Sequence, residues 1–358
     1  MTFDDKNILW LDLFDFLAYG KKIKLLSCIK KGENLRENFL TNPNIKEILT
    51  NQEFNKMALC LNDEYLNRHL RDYEKDNVEL ITFNNENYPY ILKETSTPPL
   101  CLYCKGDVRL LNSFCFGVVG TRKPSDYGIV VAKQYCKELA NNGITIVSGL
   151  ATGIDGVAHK TALEEKGKTI AVLAGGLNNI YPLTNLSLAK SIEENGLLIS
   201  EYPPNTKPLS YYFPVRNRII AGLSKGILVP EMGEKSGSMH TVNYALEFNR
   251  DVFVVPGKIN SPMSKGANEL IKNLQGRITT SPEDILNAYN LNKQEKTPNQ
   301  QIDINAQMIL SFIETEKRTY QEILDYTHLP ANELNTLLME LELEGMLIKL
   351  ANNSYIMS

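Results

Sequence analysis

No stretch of this 358-residue chain stays apolar long enough to cross a bilayer, and its first residues lack the basic-then-apolar pattern of a secretion signal. A cytoplasmic protein is the expectation. Cysteine is sparse: Cys28, Cys60, Cys101, Cys104, Cys115 and Cys136 lie mostly inside apolar segments, which suits reduced core thiols better than a disulfide framework. Cys101 and Cys104 form one Cys-x-x-Cys, but no second pair follows at zinc spacing, and Leu100, Leu102 and Tyr103 around them read as strand. No metal is expected. An excess of positive charge is also missing. With 38 Lys and Arg against 42 Asp and Glu the net charge is −4, so nucleic-acid binding has to come from a local patch. Catalytic signatures are thin. There is no Gly-x-Ser-x-Gly elbow, and of four histidines only His159 and His240 fall near strand-end turns, where Ser148 or Ser236 would have to complete a Ser-His-acid set. Buried or capping histidines are commoner than catalytic ones, so no catalytic residue is assigned.

What is present is organised around residues 114–159. An apolar run from Phe114 to Val119 leads into a Gly120-Thr121-Arg122 turn. An amphipathic stretch follows, with Ile129, Ala132, Cys136, Leu139 and Ala140 on one helical face, Ser125 or Asp126 as its cap and Gly143 as its stop. A second apolar run, Ile144 to Val147, enters a turn containing Ser148, Gly149 and Gly153 that opens another helix, which Asp155 is expected to cap. In such a unit both turns lie at the carboxyl ends of parallel strands, where free N–H groups and positive helix ends favour anions. Gly120 lets a phosphate approach the backbone, and Arg122 adds a permanent cation with a fork of donors. The turn lacks the GxGxxG spacing, so no dinucleotide cofactor is expected.

Residues 1–77 carry helical periodicity (Ile8, Leu11, Phe14, Leu17, then Leu25, Leu26, Ile29) and are read as a small all-helical domain. Its Lys21, Lys22, Lys24, Lys30 and Lys31 read as a solvated face. Val78 to Phe83 is a strand, followed by a proline-rich connector through Gly106. Residues 78–287 alternate apolar runs, at 169–174, 197–200, 226–230, 251–255 and 277–280, with helical patterns. That order predicts an α/β domain with an open, mainly parallel sheet and helices on both faces. The strand-end turns are rich in anion-binding chemistry: Gly175-Gly176, Ser200-Glu201, Phe213 with Arg216-Asn217-Arg218, Ser236-Gly237-Ser238, and Pro256-Gly257-Lys258. Tyr211, Tyr212 and Phe213 are candidates for stacking on bases. From Asp107 to Asp284 there are 19 Lys and Arg against 16 Asp and Glu; from Asp303 onward there are 3 against 9. The middle region is the better holder of phosphates. Residues 288–302 read as a linker, and residues 303–358 give three helices and a β-ribbon in the order of a winged helix. Its third helix carries Glu333, Glu340, Glu342 and Glu344 and no Lys or Arg, so phosphate would repel it from a groove.

Eight stretches in order, GTRKPSDYG, SGLATGIDGVAH, GKTIAVLAGGLNNIYP, LISEYPP, FPVRNRIIAGLS, SGSMHTVNYALE, RDVFVVPG and TTSPEDIL, resemble the DprA (Smf) family of DNA-processing proteins. The likeness runs from about Tyr88 to Asp284. It implies an extended Rossmann-like domain that forms homodimers, binds single-stranded DNA and loads the RecA recombinase during natural transformation, between a SAM-like helical domain and a winged-helix-like one. Carried over by position, DNA contacts fall on Arg122, on Arg216 and Arg218 of the RNR motif, and on Ser236 to Ser238; dimer contacts fall near Leu270, Ile271 and Ile278. The chain departs from the family pattern at Leu183, where some members are basic, at Pro230-Glu231-Met232 and at Gln275-Gly276-Arg277. The rival reading is a hydrolase releasing a base from a phosphoribosyl group with Glu231 or Glu247 as the acid. The chain lacks the PGGxGT turn and following Glu usual in such enzymes. A transcription factor acting through the tail is disfavoured by the acidic third helix.

Overall fold

Short runs of β-branched and aliphatic residues, cut off by glycine or a polar turn, have too few residues for a helix. Buried on both faces, they become strands. The computed structural model describes residues 2–291, 304–313, 316–343, 346–350 and 353–357. Its main sheet has nine strands: β1 (Glu79–Thr82), β2 (Cys101–Gly106), β3 (Cys115–Val118), β4 (Thr145–Ser148), β5 (Thr169–Val172), β6 (Leu197–Ser200), β7 (Gly226–Val229), β8 (Asp251–Val254) and β9 (Arg277–Ile278). They lie in the order β1-β2-β6-β5-β4-β3-β7-β8-β9. From β6 to β9 every pairing is parallel, while β2 runs antiparallel to both β6 and β1. The stretch expected as a connector therefore contributes β2, whose Cys101 to Cys104 are all buried.

Chain order reverses direction at β3, with β4 on one side and β7 on the other, and an open sheet binds its ligands at such a switch point. Helices cover both faces. Phe116, Val118, Ile146, Leu228 and Phe253 pack on one face with Ala132, Cys136, Leu139 and Ala158; Val147, Ile170, Val229 and Val254 pack on the other with Ile219, Ile220, Val242 and Leu270.

The first 77 residues form six helices, α1 (Phe3–Asp12), α2 (Tyr19–Leu26), α3 (Leu35–Asn38), α4 (Pro43–Ile48), α5 (Asn51–Ala58) and α6 (Asp63–Lys75). Side chains define their starts: Thr2 with Asp5 and Thr50 with Glu53 make capping boxes, and Asn34, Asn42 and Asn62 cap three others. These helices are not a separate domain. Trp10, with Phe14 and Phe39 edge-on at 5.1 and 5.4 Å, belongs to a core that continues through Cys101, Tyr103, Ala171 and Leu198 of the sheet. One compact unit runs to Leu291. The periodicity showed helices but not that their apolar faces lacked a partner of their own. Two of the lysines read as solvated are paired, Lys21 with Glu53 and Lys22 with Asp12.

The remaining elements of this unit are α7 (Tyr90–Lys93), α8 (Asp126–Asn141), α9 (Ile154–Glu164), α10 (Leu186–Asn195), α11 (Tyr212–Leu223), α12 (Ser238–Glu247), α13 (Lys265–Lys272) and α14 (Pro282–Ala288). The start of the expected linker belongs here as well: Tyr289 lies against Phe114 and Phe116, and its hydroxyl donates to Asp251 at 2.7 Å. Residues 292–302 lie outside the described residues.

In the second unit α15 (Ile304–Ile313), β10 (Arg318–Thr319), α16 (Tyr320–Thr327), α17 (Ala331–Leu343), β11 (Leu347–Lys349) and β12 (Ser354–Met357) enclose a core of Ile309, Ile313, Ile323, Leu334, Leu338, Leu341 and Tyr355. Its three strands are antiparallel in the order β10-β12-β11. Glu333 and Glu340 of α17 face solvent; Glu344 lies outside the described residues. Among the described residues no helix is long and apolar enough to cross a membrane.

Candidate nucleic-acid interface

The loops that follow β3 and β7 meet at the switch point, and the sequence explains why they close so tightly. At Gly120 a Cβ would sit 2.7 Å from Ile154 and 2.8 Å from the Glu231 carbonyl oxygen, so only glycine brings these backbones together. Three bonds then lace the loops: Thr121 N–H to the Glu231 carbonyl (3.0 Å), Ile154 N–H to the Thr121 carbonyl (3.2 Å), and Ser238 Oγ to the Gly120 carbonyl (2.7 Å). Buried Glu231 anchors the next step, accepting from Ser125 N–H at 2.8 Å and from Ser125 Oγ at 2.6 Å. With Ser125 capping α8, the Arg122 turn is held at both ends.

Above this lacing opens a cleft of about 780 Å³. Gly120, Thr121, Arg122, Phe213, Arg216, Asn217, Ser236, Gly237 and Ser238 line it, at the amino ends of α11 and α12, whose helix dipoles favour an anion. Arg122 is exposed, lies over the Phe213 ring at 5.9 Å, and has no ion-pair partner among the described residues. Phe213 meets Tyr181 edge-on at 5.6 Å, which gives the cleft an aromatic wall. Lys235 supplies a second exposed cation. Glu234, the nearest exposed carboxylate in sequence, is held by Lys265 at 2.7 Å, which keeps it below its usual range.

Under the cleft lies a buried polar network. Arg216 donates through Nη1 to the carbonyls of Gly149 (2.7 Å) and Val172; burial pulls its pKa down to about 10, still cationic at neutral pH. Asp155, raised by burial and opposed by the Arg216 charge, accepts from Gly149 N–H at 3.1 Å. It fastens the preceding turn instead of capping its own helix, whose N-cap is Gly153. His159 Nδ1 lies 2.6 Å from Thr169 Oγ1, which itself donates to Ile146, so Nδ1 carries the proton and Nε2 accepts from Leu150 N–H at 3.3 Å. The ring is a neutral bracket for the turn and no base, and Ser148 Oγ is bound to the Val118 carbonyl.

Burial, then the Arg216 charge, pulls His159 down to about 3. A histidine depressed in the folded state adds stability above its unfolded value of 6.5, and that stability drains away as pH falls toward 3. Urea unfolding is expected to show about 2 kcal/mol less stability at pH 5 than at pH 7 from this ring. His159→Asn, measured alongside, should flatten that difference; an unchanged pH slope would contradict the assignment.

Three expected contacts are placed elsewhere. Arg218 does not line the cleft: it pairs with Glu201 inside the protein, because residues two apart on a helix point to nearly opposite sides. Gly149 and Gly153 lie beneath the cleft as supports. Of the dimer residues, Leu270 is 1% exposed and belongs to the core, Ile271 packs beside it, and Ile278 on edge strand β9 is 51% exposed. Lys235, Tyr181, Pro262 and Met263 line the cleft without having been singled out; the lysine flanking Ser236 was the readable signal.

An open α/β sheet with a cationic, aromatic-walled cleft at its switch point is an arrangement whose charge suits an anionic ligand. The profile of one family, DNA recombination-mediator protein A, matches residues 79–290, and the chain belongs to that family. It is 45% identical over 222 residues to the DNA processing protein DprA of Bacillus subtilis, covering 62% of this chain and 74% of that one. It is 42% identical over 284 residues to protein Smf of Escherichia coli, covering 76% and 75%. An X-ray structure of DNA processing protein A from Streptococcus pneumoniae superposes with a TM-score of 0.69 at 33% identity over 80% of this chain and 98% of that one. DNA processing protein A of Helicobacter pylori, whose structure is described for its single-stranded DNA binding mode, superposes with a TM-score of 0.54 at 33% identity over 59% and 95%.

Proposed function

We propose that this chain binds single-stranded DNA in the cleft between the β3 and β7 loops and presents it to a recombinase, RecA, during uptake of transforming DNA. The observation that carries the reading is the exposed guanidinium of Arg122, without an ion-pair partner among the described residues, beside Phe213 at the mouth of a cleft floored by two helix amino ends. Cation, aromatic face and the positive ends of two helix dipoles together suit a phosphate with a stacked base and demand no particular sequence. The described DNA binding mode of the H. pylori protein and the recombination-mediator family support it. We read the protein as acting without covalent chemistry; of the alternative acids for a hydrolase, Glu231 accepts two bonds from Ser125 and Glu247 one from Ser96 at 2.7 Å. A homodimer formed through the β9 edge, with Ile278 at its centre, completes the proposal, and the protein works in the cytoplasm.

Fluorescence anisotropy with a labelled single strand and its duplex, across a salt series, tests the core of it. The single strand should bind more tightly at every salt concentration, with log affinity falling by about 0.7 per phosphate contact for each tenfold rise in salt. Equal or tighter binding of the duplex would sink the reading. RecA presentation has its own assay: adding the chain should speed RecA filament growth on protein-coated single strands.

A further inference from the structure

We propose that in the Arg216-Asn217-Arg218 triplet the two arginines are positioning residues and only Asn217 meets the strand; this rests on the cleft being a strand-binding site. Successive residues on α11 point 100° apart, so Arg216 and Arg218 diverge to opposite flanks with Asn217 between them. Arg216, 4% exposed, reaches across the ends of β4 and β5 to the Gly149 and Val172 carbonyls. Its seat is closely fitted: a Cβ on Gly149 would come within 2.6 Å of the guanidinium carbon. Arg218, 8% exposed, pairs with Glu201 just beyond β6. The charges point to different surroundings. That of Arg216 is felt by Asp155 and His159, whereas that of Arg218 is felt by Tyr19 of α2, Tyr88 and Tyr202. The two forks therefore pin one helix to three strand ends.

Arg218 Nη1 and Glu201 Oε1 are sealed from solvent, so a phosphate in the cleft reaches neither without parting α11 from the sheet. Asn217 differs. Its Oδ1 accepts from Arg216 Nε at 3.1 Å, which orients the amide, and among the described residues Nδ2 is left only a long 3.5 Å approach to the Gly237 carbonyl. The side chain lines the cleft as an oriented, neutral donor suited to a phosphate oxygen or a base carbonyl.

The test uses the full chain and a labelled dT oligonucleotide, read as affinity and salt slope. Arg218→Met combined with Glu201→Leu replaces a buried ion pair by an apolar one, an exchange that folded proteins tolerate. This double variant should keep its melting temperature, its affinity within about threefold and the parent salt slope. Asn217→Ala should bind roughly fivefold to tenfold more weakly with the slope unchanged, since the lost donor is uncharged. A folded double variant whose slope drops by about 0.7 would show Arg218 on a phosphate and overturn the proposal. Labelling of the unaltered chain with hydroxyphenylglyoxal decides the matter even where the variant does not fold. Arg122 should react and be shielded by the oligonucleotide, while Arg218 stays unreactive with and without it; Arg218 that reacts and is shielded contradicts the assignment. A parent chain that binds no oligonucleotide removes the cleft reading itself, an outcome distinct from either of these.

Discussion

Arg122→Ala is expected to weaken single-strand binding by roughly tenfold to a hundredfold, the loss of about 1.5 to 3 kcal/mol that accompanies a missing charge-assisted hydrogen bond. The salt slope should fall by about 0.7, one phosphate contact, and the loss should be much the same for dT and dA strands because a guanidinium on phosphate reads no base. Stability should stay within about 0.5 kcal/mol of the parent, since the side chain is exposed and has no ion-pair partner among the described residues. Anisotropy titration together with urea unfolding checks both halves. Normal binding by a folded variant would move the strand out of this cleft.

Gly153→Ala should do the greater damage through the backbone. Gly153 has φ +81° and ψ −132°, a conformation costly to any residue with a side chain, and its Cβ would run into the Thr121 carbonyl oxygen and lie 2.7 Å from the Arg122 carbonyl carbon. The turn that aims Arg122 would be pushed off the amino end of α9. Binding should fall more than tenfold and stability by about 2 to 4 kcal/mol, strain and displaced contacts together. Gly143→Ala is the matched control: φ is +76° there too, but no atom lies within 4 Å of the Cβ. It should cost about 1 kcal/mol and leave binding unchanged. If Gly153→Ala bound the strand as the parent does, the rigidity assigned to the turn would be wrong.

Gly120 was readable as a site of close backbone approach, expected for a phosphate, and Gly153 as part of a helix-opening turn. What each approaches was not: Ile154, the Glu231 carbonyl and the Arg122 backbone arrive from distant parts of the chain. The same limit explains β2. Pro98 and Pro99 marked an extended connector and Leu100, Leu102 and Tyr103 read as strand, yet the partner was not legible: Tyr103 faces Ser200 across an antiparallel pairing that only the folded sheet creates. It also explains the helical amino-terminal region, whose periodic apolar faces gave its helices but not the partner they pack on.

Local rules settled the alternation of short apolar runs with amphipathic helices, the direction of the sheet, and a cation on the loop after β3, because strand length, helical period and glycine turns act over a few neighbouring residues. Tertiary structure alone decided which cation stays free. Arg122 and Arg218 look alike in sequence, but the carboxylate that captures Arg218 sits 17 residues earlier, beyond β6, and comes within reach only when α11 is laid across the sheet. A guanidinium's role follows from the partner it meets, and that partner is supplied by the fold.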